Sequence, residues 1–218
     1  MKGQAETKRN NYRITQMPIK TDRIIYFDTL VHFMIQLYQK VTQLRVLEHF
    51  FKHPAEDFYL RELARLLDMS PMTVMRALSL LVDDRLIIRE KRKGQILYRA
   101  NMDSHAFRFS KKAYNLAWLE EHGVAEHLLD NVPGVSSMVL YGSFARGEND
   151  EHSDIDILII STAKNVDADR ISKKIGVPVN VINMTGAKWN DTARNNRAFY
   201  LDVITEGIVL HGTRPVVE

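Results

Sequence analysis

The sequence predicts a two-domain protein of the α+β or α/β class, in which a small helical module with a two-stranded hairpin precedes a mixed sheet with flanking helices. The charge distribution is the first observation. Residues 40–112 hold 15 Lys and Arg against 9 Asp and Glu, whereas residues 113–218 hold 9 against 15. The hydrophobic spacing also changes, from mainly helical in the first half to short strand-like apolar runs in the second. Such asymmetry indicates two domains, the first suited to a polyanion and the second to metal cations.

The composition limits the class of protein and its location. The chain of 218 residues has no cysteine, which excludes a disulfide framework and a thiolate metal site and fits a reducing cytoplasm. The first apolar cluster starts at Ile24, so no N-terminal signal pattern is present. Residues 24–38 are too few to span a bilayer. The sequence therefore predicts a soluble cytoplasmic protein with no membrane partner.

The N-terminal segment divides into a tail and a helix. Residues 1–23 are polar and basic without a hydrophobic period, which predicts a mobile tail. Residues 24–40 are predicted to form a helix, because their apolar residues recur at helical spacing. This apolar stripe consists of Phe27, Leu30, Val31, Met34 and Tyr38. This stripe either packs on its own domain or forms a dimer interface. We expect a homodimer, although the sequence leaves both arrangements open.

Residues 41–101 are predicted to contain three short helices. The first ends near Lys52, and the second covers residues 60–67 with Leu63, Leu66 and Leu67 facing inward. The third is capped by Ser70, and Pro71 occupies its first position, where a missing N–H has no cost. Its buried stripe is predicted to be Val74, Ala77, Leu78 and Leu81.

Two strands are predicted after these helices, at residues 86–90 and 95–100, around a basic tip at residues 91–94. This order resembles the winged helix-turn-helix domains of prokaryotic transcription regulators. The resemblance implies binding to double-stranded DNA by residues 24–101, with the third helix in the major groove. Five side chains would then contact DNA, two on that helix and three on the tip: Thr73, Arg76, Lys91, Arg92 and Lys93. A module used only for protein contacts, with a solvated tip, is the alternative.

Helical sequence is expected over residues 102–131 with a break near Gly123. Residues 102–117 form the predicted linker helix, and residues 118–218 form the predicted second domain. The later elements of that domain are a helix at residues 166–175, a strand at residues 178–183 and a last strand at residues 207–211.

The chemistry is predicted to lie around a turn that follows the buried strand of residues 138–140. Gly142 permits a sharp turn because it has no Cβ. Ser143 is predicted to cap a short helix that Gly147 closes. The free N–H groups at the start of that helix would attract an anion.

Two carboxylates follow on one face of the next strand. Side chains alternate along a strand, so Asp154, Asp156 and Leu158 face one way while Ile155, Ile157 and Ile159 face the other. Neighbouring carboxylates repel each other unless a cation lies between them, and a divalent metal with oxygen ligands is the natural candidate. An anion site beside them indicates a nucleoside triphosphate carried with Mg²⁺ or Mn²⁺.

These residues resemble a known signature. Gly142-Ser143, Arg146-Gly147 and the run Ser153-Asp154-Ile155-Asp156 are similar to the motif of the nucleotidyltransferase superfamily of DNA polymerase beta, and most similar to its minimal prokaryotic branch. The resemblance implies attack of a hydroxyl on the α-phosphate of an NTP, with release of pyrophosphate. Asp154 and Asp156 would hold two metal ions, while Gly142 and Ser143 would bind the triphosphate. The acceptor would be a protein, a nucleic acid end or a small molecule.

One position departs from the family pattern. The third strand of that family supplies a third carboxylate, and the matching residue here is Asn180, a weaker ligand that cannot act as a base. Asp191 and Asp202 are predicted to be poorly placed to replace it. Arg146 is expected to contact phosphate or acceptor, or to brace the acidic loop of residues 148–151. Two functions follow: an active transferase, or a non-catalytic transcription regulator that senses NTP.

Overall fold

The computed structural model describes residues 37–38 and 40–217. The predicted tail of residues 1–23 and most of the helix at residues 24–40, including Phe27, Leu30, Val31 and Met34, lie outside these described residues. Tyr38 of the same stripe is described, and its ring packs in the first core against Phe51 and Tyr114. No helix in the described part of the chain is long and apolar enough to cross a membrane.

From residue 42 to residue 100, the first module contains three helices and a three-stranded sheet. Its elements are α1 (Thr42–Lys52), β1 (Phe58–Tyr59), α2 (Leu60–Leu66), α3 (Pro71–Asp83), β2 (Ile87–Arg92) and β3 (Gln95–Ala100). The sheet has the order β1-β3-β2, and both strand pairs are antiparallel. Ser70 caps α3 as predicted, because its hydroxyl accepts the Thr73 N–H at 3.1 Å. The predicted stripe of α3 is buried in full.

The predicted inward face of α2 was partly wrong. Leu63 is buried, but Leu66 is 54% exposed and Ala64 is buried instead. The reason is helical geometry: with about 100° per residue, a face centred between residues 63 and 64 includes residue 67 and excludes residue 66. Leu67 accordingly packs against the core.

Helix α4 (His105–Glu121) enters both hydrophobic cores. Phe107, Tyr114 and Ala117 belong to the first core, whereas Leu119 belongs to the second. The predicted boundary between residues 117 and 118 therefore falls inside one continuous helix. The predicted break follows at Gly123, which has a φ of +63° and precedes α5 (Val124–Asn131).

The second module is a four-stranded mixed sheet covered on both faces. It comprises β4 (Ser137–Tyr141), α6 (Gly142–Arg146), β5 (Ile155–Ile160), α7 (Asp169–Ile175), β6 (Val179–Met184), α8 (Gly186–Asn195), α9 (Arg197–Leu201), a π-helical turn (Asp202–Glu206) and β7 (Ile208–Gly212). The strand order is β6-β5-β4-β7, in which only the β5–β6 pair is parallel. The predicted mixed sheet with flanking helices is thus present.

The predicted alternation along β5 is also present. Ile155, Ile157 and Ile159 pack with α5 and α7, while Leu158 packs on the other face with Trp189 of α8. Helix α7 starts three residues later than predicted, because the Asp167 carboxylate accepts the Asp169 N–H at 2.9 Å. Such a local turn competes with helical backbone hydrogen bonding.

Candidate active site

The Gly142 turn lies directly against Asp156. Tyr141 ends β4 opposite Asp156 of β5, and Gly142 then has a φ of +71°. A Cβ at Gly142 would lie 2.5 Å from Asp156 Oδ2, so a larger residue would collide with the carboxylate. Because Gly142 itself begins α6, the N-cap is Tyr141 and Ser143 is the second helical residue. The prediction that Ser143 caps this helix was therefore wrong.

The strand residues predicted to form the site lie together. Asn180 of β6 is in register with Asp156 of β5. Its side-chain Nδ2 donates a hydrogen bond to Asp154 Oδ2 at 2.9 Å and a longer one to Asp156 Oδ1 at 3.5 Å. The amide thus connects the two carboxylates on the same face of the sheet.

The electrostatics of this face favour a cation. Burial raises the pKa of Asp156, and the nearby charges of Asp154 and Asp202 raise it further, while the hydrogen bond from Asn180 and the charge of Arg146 oppose them. Burial, followed by the charges of Asp156 and Asp202, raises the pKa of Tyr141 to about 12. Burial is the main cause of both shifts, and the carboxylate charges add to it; a bound cation would relieve that smaller, electrostatic part.

Arg146 is engaged by two carboxylates. Its Nε donates to Glu148 Oε2 at 2.8 Å, and its Nη1 donates to Asp202 Oδ1 at 3.0 Å. This geometry matches the bracing role that was one of its two predicted roles. Asp202, predicted to be poorly placed, lies close enough to raise the pKa of Asp156, although Arg146 holds its carboxylate. Asp191 lies on the exposed face of α8.

A buried polar network on α4 supports the loop that leads into Asp154. Lys111 is fully buried and its ammonium donates to the Asn149 carbonyl. Asn115 donates to the Phe144 carbonyl at 2.9 Å and to Asn149 Oδ1 at 2.8 Å. Burial lowers the pKa of Lys111 to about 8. This network was not predicted from the sequence; its signal is two polar residues four apart within the apolar stripe of α4.

The loop also contacts the end of α1 through a second group of possible metal ligands. His53 Nδ1 lies 3.1 Å from Glu151 Oε2 and 3.3 Å from Glu56 Oε1. The three candidate ligand atoms lie within 4.8 Å of one another. Both glutamates are exposed, so these contacts are also those of an ordinary surface ion-pair cluster.

The residues predicted to contact DNA have two different environments. Thr73 and Arg76 are exposed on α3, as predicted. The predicted basic tip was wrong in extent, because Lys91 and Arg92 belong to β2 and only Lys93-Gly94 form the turn. Both turn residues have positive φ, 49° and 82°, which is typical of a tight two-residue hairpin turn.

Arg92 is occupied within its own module. Its guanidinium forms ion pairs with Asp57 and with Glu90, each at 2.8 Å. Among the described residues, Lys91 and Lys93 form no salt bridge.

The donor set of the candidate site fits a hard divalent cation. Asp154 and Asp156 offer carboxylate oxygens, a ligand type that Mg²⁺ and Mn²⁺ prefer. Asn180 turns its amide nitrogen toward them, so its amide oxygen would become a third ligand after the amide rotates. These side chains would hold the ion with one charge fewer than three carboxylates would supply.

Comparisons with known proteins agree on the second module. The family model described as "Nucleotidyltransferase domain" matches residues 123–203. A protein of Methanocaldococcus jannaschii named "Putative protein adenylyltransferase" is 36% identical over 84 residues, which cover 35% of this chain and 79% of that protein. The family match begins after α4, so it gives no support to the winged-helix or DNA-binding predictions.

Two solved structures are similar at low identity. One is a crystal structure of a toxin-antitoxin with AMP-PNP, which is 23% identical in sequence and has a TM-score of 0.34. The match covers 43% of this chain and 74% of the chain in that structure. A crystal structure of a toxin-antitoxin MntA-HpeT mutant is 21% identical with the same two coverages and a TM-score of 0.34.

Proposed function

This chain belongs to the nucleotidyltransferase domain family, and from that membership we propose that residues 118–218 bind a nucleoside triphosphate with Mg²⁺ or Mn²⁺ and transfer its nucleotidyl group to a hydroxyl acceptor. One observation carries the proposal: the Gly142 turn packs directly on Asp156, on the face that Asp156 shares with Asp154 and Asn180. An anion bound at the turn would therefore lie beside a cation held by the carboxylates.

The roles of the side chains follow from this arrangement. Asp154 and Asp156 would hold the cation, which when bound supplies charge neutralisation for the triphosphate and the leaving pyrophosphate. Gly142 and Ser143 orient the triphosphate. In the transfer, the acceptor oxygen bonds to the α-phosphorus, the bond from that phosphorus to pyrophosphate breaks, and the hydroxyl proton passes to solvent water. Asn180 cannot take this proton because it has no carboxylate.

The proposed donor is ATP and the proposed acceptor is a protein hydroxyl, since the M. jannaschii relative is named as a protein adenylyltransferase. The test is incubation of the purified protein with ATP or GTP labelled on the α-phosphate, magnesium and a lysate of its own cells. We expect protein-bound label from ATP that is absent with Asp154→Asn/Asp156→Asn. Label that persists in this double variant would contradict the site assignment.

A second function is favoured by Asn180, which replaces the third carboxylate with a neutral amide. In this alternative, the domain binds Mg-NTP without turnover and acts as the sensor of a transcription regulator. Binding of ATP without pyrophosphate release, with or without lysate, would support it. Sustained pyrophosphate release would rule it out.

The DNA-binding part of the proposal concerns residues 24–101. We propose that they form a winged helix-turn-helix domain that binds duplex DNA as a homodimer in the cytoplasm. Support comes from the order of the elements, from the exposure of Thr73 and Arg76 on the capped helix α3, and from the tight turn at Lys93. Arg92 braces the hairpin against Asp57, so the phosphate contacts fall to Lys91 and Lys93.

A further inference from the structure

A cleft of about 370 Å³ opens between the start of α4 and Arg146 at the end of α6. One wall is the start of α4, which contributes His105, Arg108, Phe109 and Lys112. The opposite wall includes Arg146, whose charge also reaches Asp156 and lowers its pKa. The cleft therefore adjoins the candidate active site but is built largely from a helix outside the family match at residues 123–203.

Close packing of two helices forms the cleft. Gly147 ends α6 with a φ of +69°, and a Cβ at this position would collide with the Arg108 carbonyl and approach Lys112 Cγ at 3.2 Å. This contact brings α6 against α4 and places Arg146 opposite the α4 side chains. The arrangement is thus fixed by the backbone rather than by mobile side chains.

The charge in the cleft is positive on balance. Arg108, Lys112 and Arg146 are cations, and the two carboxylates are Glu148 and Glu206. Glu148 is already paired with Arg146 at 2.8 Å. Within the described part of the chain, Arg108 and Lys112 form no salt bridge, and both are half-buried. Two neighbouring, partly desolvated cations without a carboxylate partner favour an anionic ligand.

Each of these two cations contacts a ring on α4. Arg108 Nη2 lies 3.1 Å from His105 Nδ1, and Lys112 Nζ lies 5.5 Å from the centre of the Phe109 ring. Both heads remain available to phosphate oxygens. Phe109 itself is 65% exposed, which leaves an aromatic face beside the cations.

We propose that this cleft binds a nucleotide in addition to the metal-bound triphosphate, with the phosphate on Arg108 and Lys112 and the base stacked on Phe109. A positively charged groove with an exposed aromatic ring is the combination that binds nucleotides without base-specific hydrogen bonds. The volume of the cleft lies within the range of small-ligand pockets. A free mononucleotide and the 5′-phosphorylated end of a strand share this chemistry.

The experiment is calorimetry of AMP in the absence of divalent metal. The full chain carrying Asp154→Asn/Asp156→Asn serves as the host, because any binding that it retains is independent of the metal site. We expect Arg108→Gln/Lys112→Gln to weaken AMP binding about tenfold or more. The matched control is Lys173→Gln/Lys174→Gln, which removes two exposed lysines of α7 and should leave the affinity unchanged.

Two further variants make the test decisive. Phe109→Ala should weaken AMP binding about fivefold or more, while the binding of inorganic phosphate stays the same. If the double variant does not fold, the single variant Lys112→Gln takes its place. AMP binding that is absent from the host, or lost equally in the α7 control, would overturn the proposal. A 5′-phosphorylated trinucleotide that binds more tightly than AMP would identify a strand end as the ligand, and equal or weaker binding would identify the free nucleotide.

Discussion

Asn180 donates its side-chain amide to Asp154 at 2.9 Å, from a strand position in register with Asp156. The amide offsets part of the repulsion between the two carboxylates and adds no charge of its own. A cation at this site would therefore meet two negative charges where the family resemblance leads us to expect three. Whether turnover survives this change is the question that separates the two proposed functions.

Asn180→Asp tests this relationship. Three carboxylates would then converge, so we expect the metal-free protein to lose stability, with a fall in Tm of a few degrees, about 2–4 °C for each kcal/mol. Mg²⁺ or Mn²⁺ should reverse the loss, and pyrophosphate release should rise above that of the wild type. Thermal melts with and without metal, together with pyrophosphate assays, provide the measurement.

The control for this variant is Asn190→Asp, which adds the same charge on the exposed face of α8 and should show no metal-dependent rescue. Strong wild-type turnover that Asn180→Asp leaves unchanged or lowers would show that the asparagine belongs to a working site. That result would exclude the sensor function.

Asp156→Asn should stabilise the metal-free protein at neutral pH. The folded state raises the pKa of Asp156 above its ordinary value of 3.8, so it binds the carboxyl proton more tightly than the unfolded chain does. Ionisation therefore lowers stability as the pH rises through the unfolded and then the folded pKa. We expect a Tm about 1–4 °C higher for the variant at pH 7, with the difference shrinking toward about pH 4.

Asp191→Asn, a carboxylate on the exposed side of α8, is the matched control and should change the Tm little at either pH. A lower Tm of Asp156→Asn at neutral pH would mean that Arg146 and Asn180 stabilise the charged carboxylate by more than burial and repulsion destabilise it.

Gly142→Ala should damage the site as well as the fold. The φ of +71° strains any larger residue, and the new Cβ would lie 2.5 Å from Asp156 Oδ2. We expect a loss of about 1–3 kcal/mol in the free energy of unfolding and loss of magnesium-dependent ATP binding, measured by denaturant titration and calorimetry.

Gly176→Ala separates the two effects. Gly176 has nearly the same φ, +72°, but its Cβ would meet nothing within 4 Å. The Gly176→Ala variant should lose about as much stability as Gly142→Ala and should still bind Mg-ATP. Wild-type affinity in both variants would show that the turn need not lie against Asp156 for binding.

Lys111 should give the protein a distinctive alkaline stability profile. Burial lowers its pKa from 10.5 to about 8, so the folded state releases the proton before the unfolded chain does. Below about pH 8 the buried charge lowers the free energy of unfolding by its full amount. As the pH rises from about 8 to about 10.5, the folded protein loses this charge and the free energy of unfolding increases by about 3 kcal/mol at most.

Lys111→Met should abolish this rise, whereas Lys174→Met, at an exposed position of α7, should retain it. Urea titrations at intervals across this pH range measure the difference. Parallel profiles for wild type and Lys111→Met would mean that Lys111 does not carry a buried charge at neutral pH.

The DNA-binding proposal predicts a salt-dependent interaction. Lys91→Ala/Lys93→Ala should weaken binding to all duplex sequences and reduce the salt slope by about one unit per lost phosphate contact. Arg76→Ala should reduce discrimination between sequences more than overall affinity if Arg76 contacts a base. Gel shifts across a salt series measure both, with Lys173→Ala/Lys174→Ala as the charge-matched control. Absence of binding at low salt would favour a protein-contact role for this module.

The sequence predicted those parts of the site that depend on local periodicity. Asp154, Asp156 and Asn180 were assigned to one face because side chains alternate along a strand and their apolar neighbours must face the core. The Gly142 turn was predicted because glycine has no Cβ and follows a buried apolar run. The extent of the hairpin was missed because Lys93, a residue without special turn preference, adopts a positive φ there.

The rest depends on contacts between distant segments. Asp202 reaches the site only because the π-helical turn after α9 packs beside Arg146, 56 residues away in sequence. Arg108 and Lys112 reach the cleft because Gly147 permits α6 to approach α4. No local sequence pattern encodes these long-range contacts, so they could not be predicted without knowing the tertiary packing.

The most direct test of the central claim is calorimetry of ATP and GTP with and without magnesium, on the wild type and on Asp154→Asn/Asp156→Asn. The site of Gly142, Ser143 and the two aspartates predicts magnesium-dependent binding to the wild type and its loss in the double variant, with the folded state of both verified by melting curves. Binding that magnesium does not affect, or binding that the double variant retains, would contradict the assignment of this site.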